Sequence, residues 1–168
     1  QRVAGLIFIT PPSHLDVTPV IQQPGIPRVS INGPDALFQL PSIHFSYPIF
    51  MERAVRRLIS DGRRKIALLG TYLSRESMEE EMDLLVKKGV GRPMWVQDCS
   101  AQHPWSAHQA ALLMMALPAK DRPDGIIIRD DHLVETATGG LLRSGVRVPE
   151  DVAVVAHCNF PDRYPSSV

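Results

Sequence analysis

Apolar residues fall along this chain in two kinds of block, and the two kinds alternate. The first block, Val3-Ala4-Gly5-Leu6-Ile7-Phe8-Ile9, is short, nearly continuous and closed by Thr10-Pro11-Pro12. Such a run suits a strand with both faces buried, as in a parallel sheet. Residues 13–25 hold at most a short helix before Pro24-Gly25. Ile26 to Ile31 predicts a second strand with a turn after it at Asn32-Gly33-Pro34, and Ile43-His44-Phe45 predicts a third. From Pro48 the spacing changes. Phe50, Met51, Ala54, Val55, Leu58 and Ile59 recur with helical period while Glu52, Arg53, Arg56 and Arg57 take the other face, until Asp61-Gly62 stops the helix.

The alternation then becomes regular. Lys65 to Gly70 predicts a strand. Ser77 and Glu80 stand at capping-box spacing and predict a helix from Met78 to Lys88, ended by Gly89. Met94-Trp95-Val96 predicts a strand, Trp105 to Leu117 a helix rich in Ala, Leu and Met, and Gly125 to Ile128 another strand. Asp130-Asp131 opens a helix through Arg143 with Gly145 behind it, and Val152 to Ala156 predicts the last strand. Strands alternating with helices imply parallel strands and right-handed crossovers. The fold class is therefore α/β, with parallel sheets flanked by helices. The first three strands have few helices to cover them, so cover is expected from elements upstream or from a partner chain.

Composition narrows the function classes. The 168 residues are one domain's worth, and 44% hydrophobic with 21% charged is ordinary for a globular protein. Eighteen Lys and Arg balance eighteen Asp and Glu, which argues against a nucleic-acid-binding surface in this segment. The basic run Arg53, Arg56, Arg57, Arg63, Arg64, Lys65 reads as a solvated helix face. No apolar run reaches the roughly 18–20 residues of a membrane span, and the start lacks the plan of a signal peptide. Cys99 and Cys158 make no disulfide framework, so a cytoplasmic setting is expected. His103 and His108 lie off one helical face with no third ligand, and no metal or cofactor is expected. There is no Gly-rich phosphate loop, nucleophile elbow or paired catalytic carboxylates, so an enzyme is not expected.

Two segments carry a resemblance. Arg122-Pro123-Asp124-Gly125-Ile126-Ile127-Ile128-Arg129-Asp130-Asp131 resembles the strand that ends in Asn-Asp in the lac/galactose repressor (LacI/GalR) family. Leu141 to Val155, through Gly145-Val146-Arg147-Val148-Pro149-Glu150-Asp151-Val152, resembles that family's Gly turn and Val-Pro-Glu-Asp-Val before a strand. Val3 to Ile9, Gly25-Ile26-Pro27 and Leu58 to Leu69 are similar to further family segments. The resemblance implies a two-lobed periplasmic-binding-protein-like (type I) fold, incomplete at its N-terminus. Residues 1–63 would be part of the N-terminal lobe, 64–156 the C-terminal lobe and 157–168 a crossover returning to the first. It implies the effector-binding and dimerisation domain of a transcriptional regulator. A small polar, sugar-like effector would sit in the interlobe cleft, the chain would form a homodimer, and operator DNA would be held by a head outside this chain. An extracytoplasmic solute-binding protein and a dimerisation module without ligand are the competing readings.

In open α/β sheets ligands sit at the carboxyl ends of the strands. Here those ends are Thr10-Pro11, Phe45-Ser46-Tyr47, Gly70 to Arg75, Asp130-Asp131 and His157-Cys158-Asn159. The candidate effector-binding residues are Ser46, Tyr47, Arg75, Asp130, His157, Cys158 and Asn159. Sugar-binding members of the family place an Asp where this chain has Ser46 and another where it has Cys158. They place an Arg where it has Ser77, with Arg75 two residues away. The resemblance thus implies the sensor fold with altered polar anchors. Each residue has a plainer role as well. Asp130 and Asp131 suit helix N-caps, Arg75 beside Glu76 and Glu79 suits a surface ion pair, and Trp105 suits packing at a helix start.

Overall fold

A computed structural model describes residues 3–9, 15, 17–31, 40–43, 45–71, 73–100, 102–158 and 166–168. The chain divides into two compact units, 1–47 and 48–168. In the first, strands β1 (Leu6–Phe8), β2 (Arg28–Ile31) and β3 (Ser42–Ile43) form a parallel sheet in the order β1-β2-β3, with Ile7 opposite Val29 and Ser30 opposite Ser42. A single short helix, α1 (Pro19–Gln22), stands between the first two strands. Ile7 and Ile43 are each 69% exposed, so apolar strand residues of this unit are left without cover among the described residues.

The second unit begins on helix α2 (Tyr47–Ser60). After it come β4 (Ile66–Gly70), α3 (Arg75–Lys87), a 3₁₀ turn Pro93–Trp95, β5 (Val96–Asp98), α4 (Trp105–Met115), β6 (Gly125–Ile128), a 3₁₀ turn Asp131–Leu133, α5 (Val134–Arg143) and β7 (Ala153–Ala156). The sheet is wholly parallel, in the order β5-β4-β6-β7. Its central strands are apolar without a break because both faces are covered. Alternate side chains go to opposite layers. Ala67, Leu69, Ile126 and Ile128 pack with Ala107, Ala111, Ala137 and Leu141 of α4 and α5. Ile66, Leu68 and Ile127 pack with Met51, Val55, Leu58 and Leu85 of α2 and α3. Each large side chain buried this way contributes about 1.5–3 kcal/mol.

The second compact unit begins at Pro48. The reason is the apolar stripe of α2, whose Met51, Ala54, Val55 and Leu58 are buried in the second core. Likewise the Ser167 N–H donates to Thr138 Oγ1 at 2.9 Å, which ties the last described residues to α5. Two local expectations shift. Helix α3 starts one turn earlier than the Ser77/Glu80 spacing predicts, because Ser74 caps it, its hydroxyl accepting from the Ser77 N–H at 3.1 Å. The expected strand at 94–96 is a 3₁₀ turn that passes into β5 at Val96. Gly62 and Gly145 end α2 and α5 with φ of 84° and 77°, the left-handed region that favours glycine.

Candidate functional site

In a parallel sheet every strand leaves at the same edge, so loops distant in sequence meet there. At the carboxyl edge of the second sheet these are the residues after β4, β5, β6 and β7, with the first turns of α3 and α4.

Asp130 follows β6 and caps the 3₁₀ turn, its Oδ1 accepting from the His132 N–H at 3.0 Å. The His132 ring Nδ1 lies 3.0 Å from Asp130 Oδ1 and 3.0 Å from Asp131 Oδ1. From β4, the Thr71 hydroxyl donates to Asp130 Oδ2. Burial pushes the Asp130 carboxyl up, but the Thr71 and His132 hydrogen bonds outweigh it and hold the group below its ordinary value. Three of its roughly four acceptor positions are thereby engaged within the protein. Asp131 is buried beside it.

Arg129, one residue earlier, reaches the other way. Its guanidinium lies 3.1 Å from Glu81 on α3, and both side chains are nearly buried, at 12% and 11% exposure. Its Nη1 also stands 3.4 Å from Ser77 Oγ. Burial raises the Glu81 carboxyl, and Arg129 only partly pulls it back. Periodicity gave no sign of this pair, because partners 48 residues apart meet only when α3 packs on the sheet.

His157 follows β7 at intermediate burial, its N–H donating to Ile128 O at 2.9 Å and its ring edge-on to Phe50 at 6.0 Å. Cys158 is exposed and in no disulfide. Since Ile128 pairs with Ala156, the chain leaves β6 and β7 at one level, and Asp130 and His157 share this edge. Arg75 opens α3 at 92% exposure, its Nε 3.0 Å from Glu79. Ser46 and Tyr47 belong to the first unit, where the Tyr47 ring stands edge-on to Phe45 at 5.0 Å. Asn159 lies outside the described residues.

Trp105 packs at the helix start, as expected, but is not in the core. It opens α4 at the same edge and is 56% exposed, stacked on His108 with ring centroids 3.9 Å apart and planes 11° apart. Its position as the first residue of a helix after a parallel strand is the sequence signal that places it there. Cys99 is buried, which pushes its thiol up to about 11 and leaves it a packing residue.

Residues 55–166 match the periplasmic binding protein-like domain family. The HTH-type transcriptional regulator GntR of Pseudomonas aeruginosa is 28% identical over 145 residues, 84% of this chain and 42% of that protein. The HTH-type transcriptional repressor PurR of Photobacterium profundum is 26% identical over 116 residues, 64% of this chain and 33% of that one. The chain therefore spans less than half the length of either relative. A LacI family transcriptional regulator from Lactobacillus casei, solved with bound Tris, superposes with a TM-score of 0.72 at 18% identity, covering 95% of this chain and 59% of that one. Structures of the same regulator with bound sucrose and glucose give 0.68 and 0.69. At that identity the likeness establishes the fold.

Proposed function

We propose, from the premise that this chain belongs to the periplasmic binding protein-like domain family and is a sensor domain of the LacI/GalR type, that it binds a small polar, sugar-like effector and transmits its presence to a DNA-binding head. The observation that carries this reading is the placement of Asp130 and His157 after β6 and β7, which end at one level, with the exposed Trp105 opening α4 after β5. An open tryptophan face stacks on the apolar face of a sugar ring, while carboxylate and imidazole meet its hydroxyls. In this reading Cys158 joins the set after β7 and Arg75 stands at its rim, while Ser46, Tyr47 and Asn159 are candidates from the sequence alone. The bound sucrose and glucose of the Lactobacillus casei regulator support a sugar-like ligand.

Both curated relatives are named HTH-type regulators, which supports a role in binding rather than turnover, a cytoplasmic setting and operator DNA as the partner of the whole protein. Among the described residues no helix is long and apolar enough to cross a membrane. The domain pairs as a homodimer in this reading. Support comes from Leu113 and Met94, 70% and 60% exposed beside α4, which is apolar on most of its circumference. Sedimentation of the full-length protein tests the pairing.

A second reading, a dimerisation module with no ligand, is favoured by one observation: the polar groups of Asp130 and Arg129 are engaged by Thr71, His132 and Glu81. One experiment separates the two. The full-length protein is screened by thermal shift and tryptophan fluorescence against sugars, amino sugars, sugar acids, sugar phosphates and nucleobases. A binding ligand raises the melting temperature, by about 2.7 kcal/mol of stabilisation at a hundredfold excess over Kd, and perturbs the Trp105 emission in a way lost in Trp105→Leu. No shift from any class sinks the effector reading.

A further inference from the structure

The chain is neutral overall, but its charges are sorted along the strands of the second unit. The segments that lead into β4, β5, β6 and β7 (61–65, 87–95, 118–124 and 143–152) hold ten Lys and Arg against five Asp and Glu. The segments that leave those strands (71–81, 98–105, 129–135 and 157–158) hold two Lys and Arg against eight Asp and Glu. The amino edge is basic and the carboxyl edge acidic. The N-termini of α3 and α4 add about half a positive charge each at that edge, too little to reverse the sign.

Among the described residues, the two Lys or Arg cations at the carboxyl edge are both engaged. Arg75 is almost fully exposed, paired with Glu79 and screened by solvent. Arg129 is nearly buried in its pair with Glu81, where Coulomb attraction is screened least. Asp98, the last residue of β5, is exposed and takes the Leu73 N–H at 3.1 Å. Among the described residues, an incoming carboxylate or phosphate would thus meet Asp98 and Asp130 with no unengaged guanidinium to receive it. A guanidinium gives its bidentate recognition to one carboxylate at a time.

We infer that the ligand taken at this edge is uncharged or cationic, and that Glu81 sets this selectivity by occupying Arg129, the cation an anionic ligand would otherwise use. The inference rests on the reading of this edge as part of the ligand site, and names the charge class of what enters. Glu81 acts through Arg129 and is a specificity-determining residue rather than a contact.

Matched triplets test it: the neutral sugar, the amino sugar and the uronic acid in the gluco, galacto and manno series, titrated calorimetrically into the full-length protein. The neutral or amino member is expected to bind at least about tenfold tighter than its acid, with the gap narrowing as salt is raised. Glu81→Gln, which keeps a hydrogen-bonding side chain opposite Arg129, is expected to narrow the gap by improving the acid. Asp98→Asn, on an exposed residue, is expected to do so in the same direction, and stands in should Glu81→Gln fail to fold by circular dichroism. Acids that bind as tightly as the neutral members, or a gap that neither variant moves, would overturn the charge assignment while leaving the site standing. Binding by no member of any series would count against the site itself, and the inference would fall with it.

Discussion

Gly140 stands where α5 crosses α4 with no room between them. A Cβ at this position would lie 2.6 Å from the His108 carbonyl oxygen and 3.0 Å from Ala111 Cβ. The contact is with helix backbone, which cannot turn aside. Gly140→Ala is expected to cost about 1–3 kcal/mol, read as a lowered urea midpoint. Its neighbour Gly139 has nothing closer than 3.5 Å, so Gly139→Ala gains helix propensity and is expected to be neutral or stabilising by up to about 1 kcal/mol. Equal effects at the two positions would contradict the close approach. Asp130 yields a pH prediction. Its folded-state pKa lies below the unfolded value of about 3.9, because the hydrogen bonds from Thr71 and His132 outweigh its burial. The ionised group therefore stabilises the fold above that pH, and the contribution is lost as pH falls through the lowered native value. The stability deficit of Asp130→Asn against wild type is expected to shrink between about pH 5 and pH 2. A deficit constant over that range would contradict it. Glu81 has the opposite sign, since its carboxyl is raised and protonation favours its folded form.

At the scale of elements, the strands and helices of the second unit were legible because each carries a local signal. Continuous apolar runs mark β4 and β6, which are covered on both faces. The helical period of Met51, Ala54, Val55 and Leu58 marks α2. The capping-box spacing puts the start of α3 one turn late, because two serines stand one turn apart and both suit a cap. Ser74 is the one whose backbone is extended, with φ −62° and ψ 160°, and a serine hydroxyl satisfies an otherwise orphaned N–H only from that conformation. Ser74→Ala is accordingly expected to cost about 1 kcal/mol. Ser77→Ala should cost clearly less, because its hydroxyl has only the long 3.4 Å contact from Arg129. Thermal melts of the two variants check the order, and a larger loss at Ser77 would return the cap to where the capping-box spacing puts it.

At the scale of the whole molecule, the two units differ in how completely they are covered. The second has core layers on both faces of its sheet, with Ile66, Leu68, Ile126 and Ile128 fully buried. In the first, Ile7, Ile9 and Ile43 are about 70% exposed, and Ser30 is the fully buried strand residue. Amide protection follows burial and local stability. Hydrogen exchange is expected to show the amides of β4 and β6 exchanging slowest, with those of β1 to β3 faster by orders of magnitude. Equal protection in the two sheets would mean that the first has cover in solution, from a partner copy or from further chain.

The order of elements, the α/β class and the family resemblance are legible from residues alone, since strand runs, helical periods, caps and glycine stops act within a few residues of one another. So is the placing of Asp130, His157 and Cys158 at strand ends, because a parallel sheet sends all its strand ends to one edge. What those residues meet is set by long-range packing. The Thr71–Asp130 hydrogen bond and the Arg129–Glu81 pair join residues 59 and 48 positions apart. Such partners are chosen by strand order and helix packing, which local pattern does not encode. The placing of α2 has the same cause. Its stripe shows that it must bury a face, but only the assembled sheet shows which face it covers.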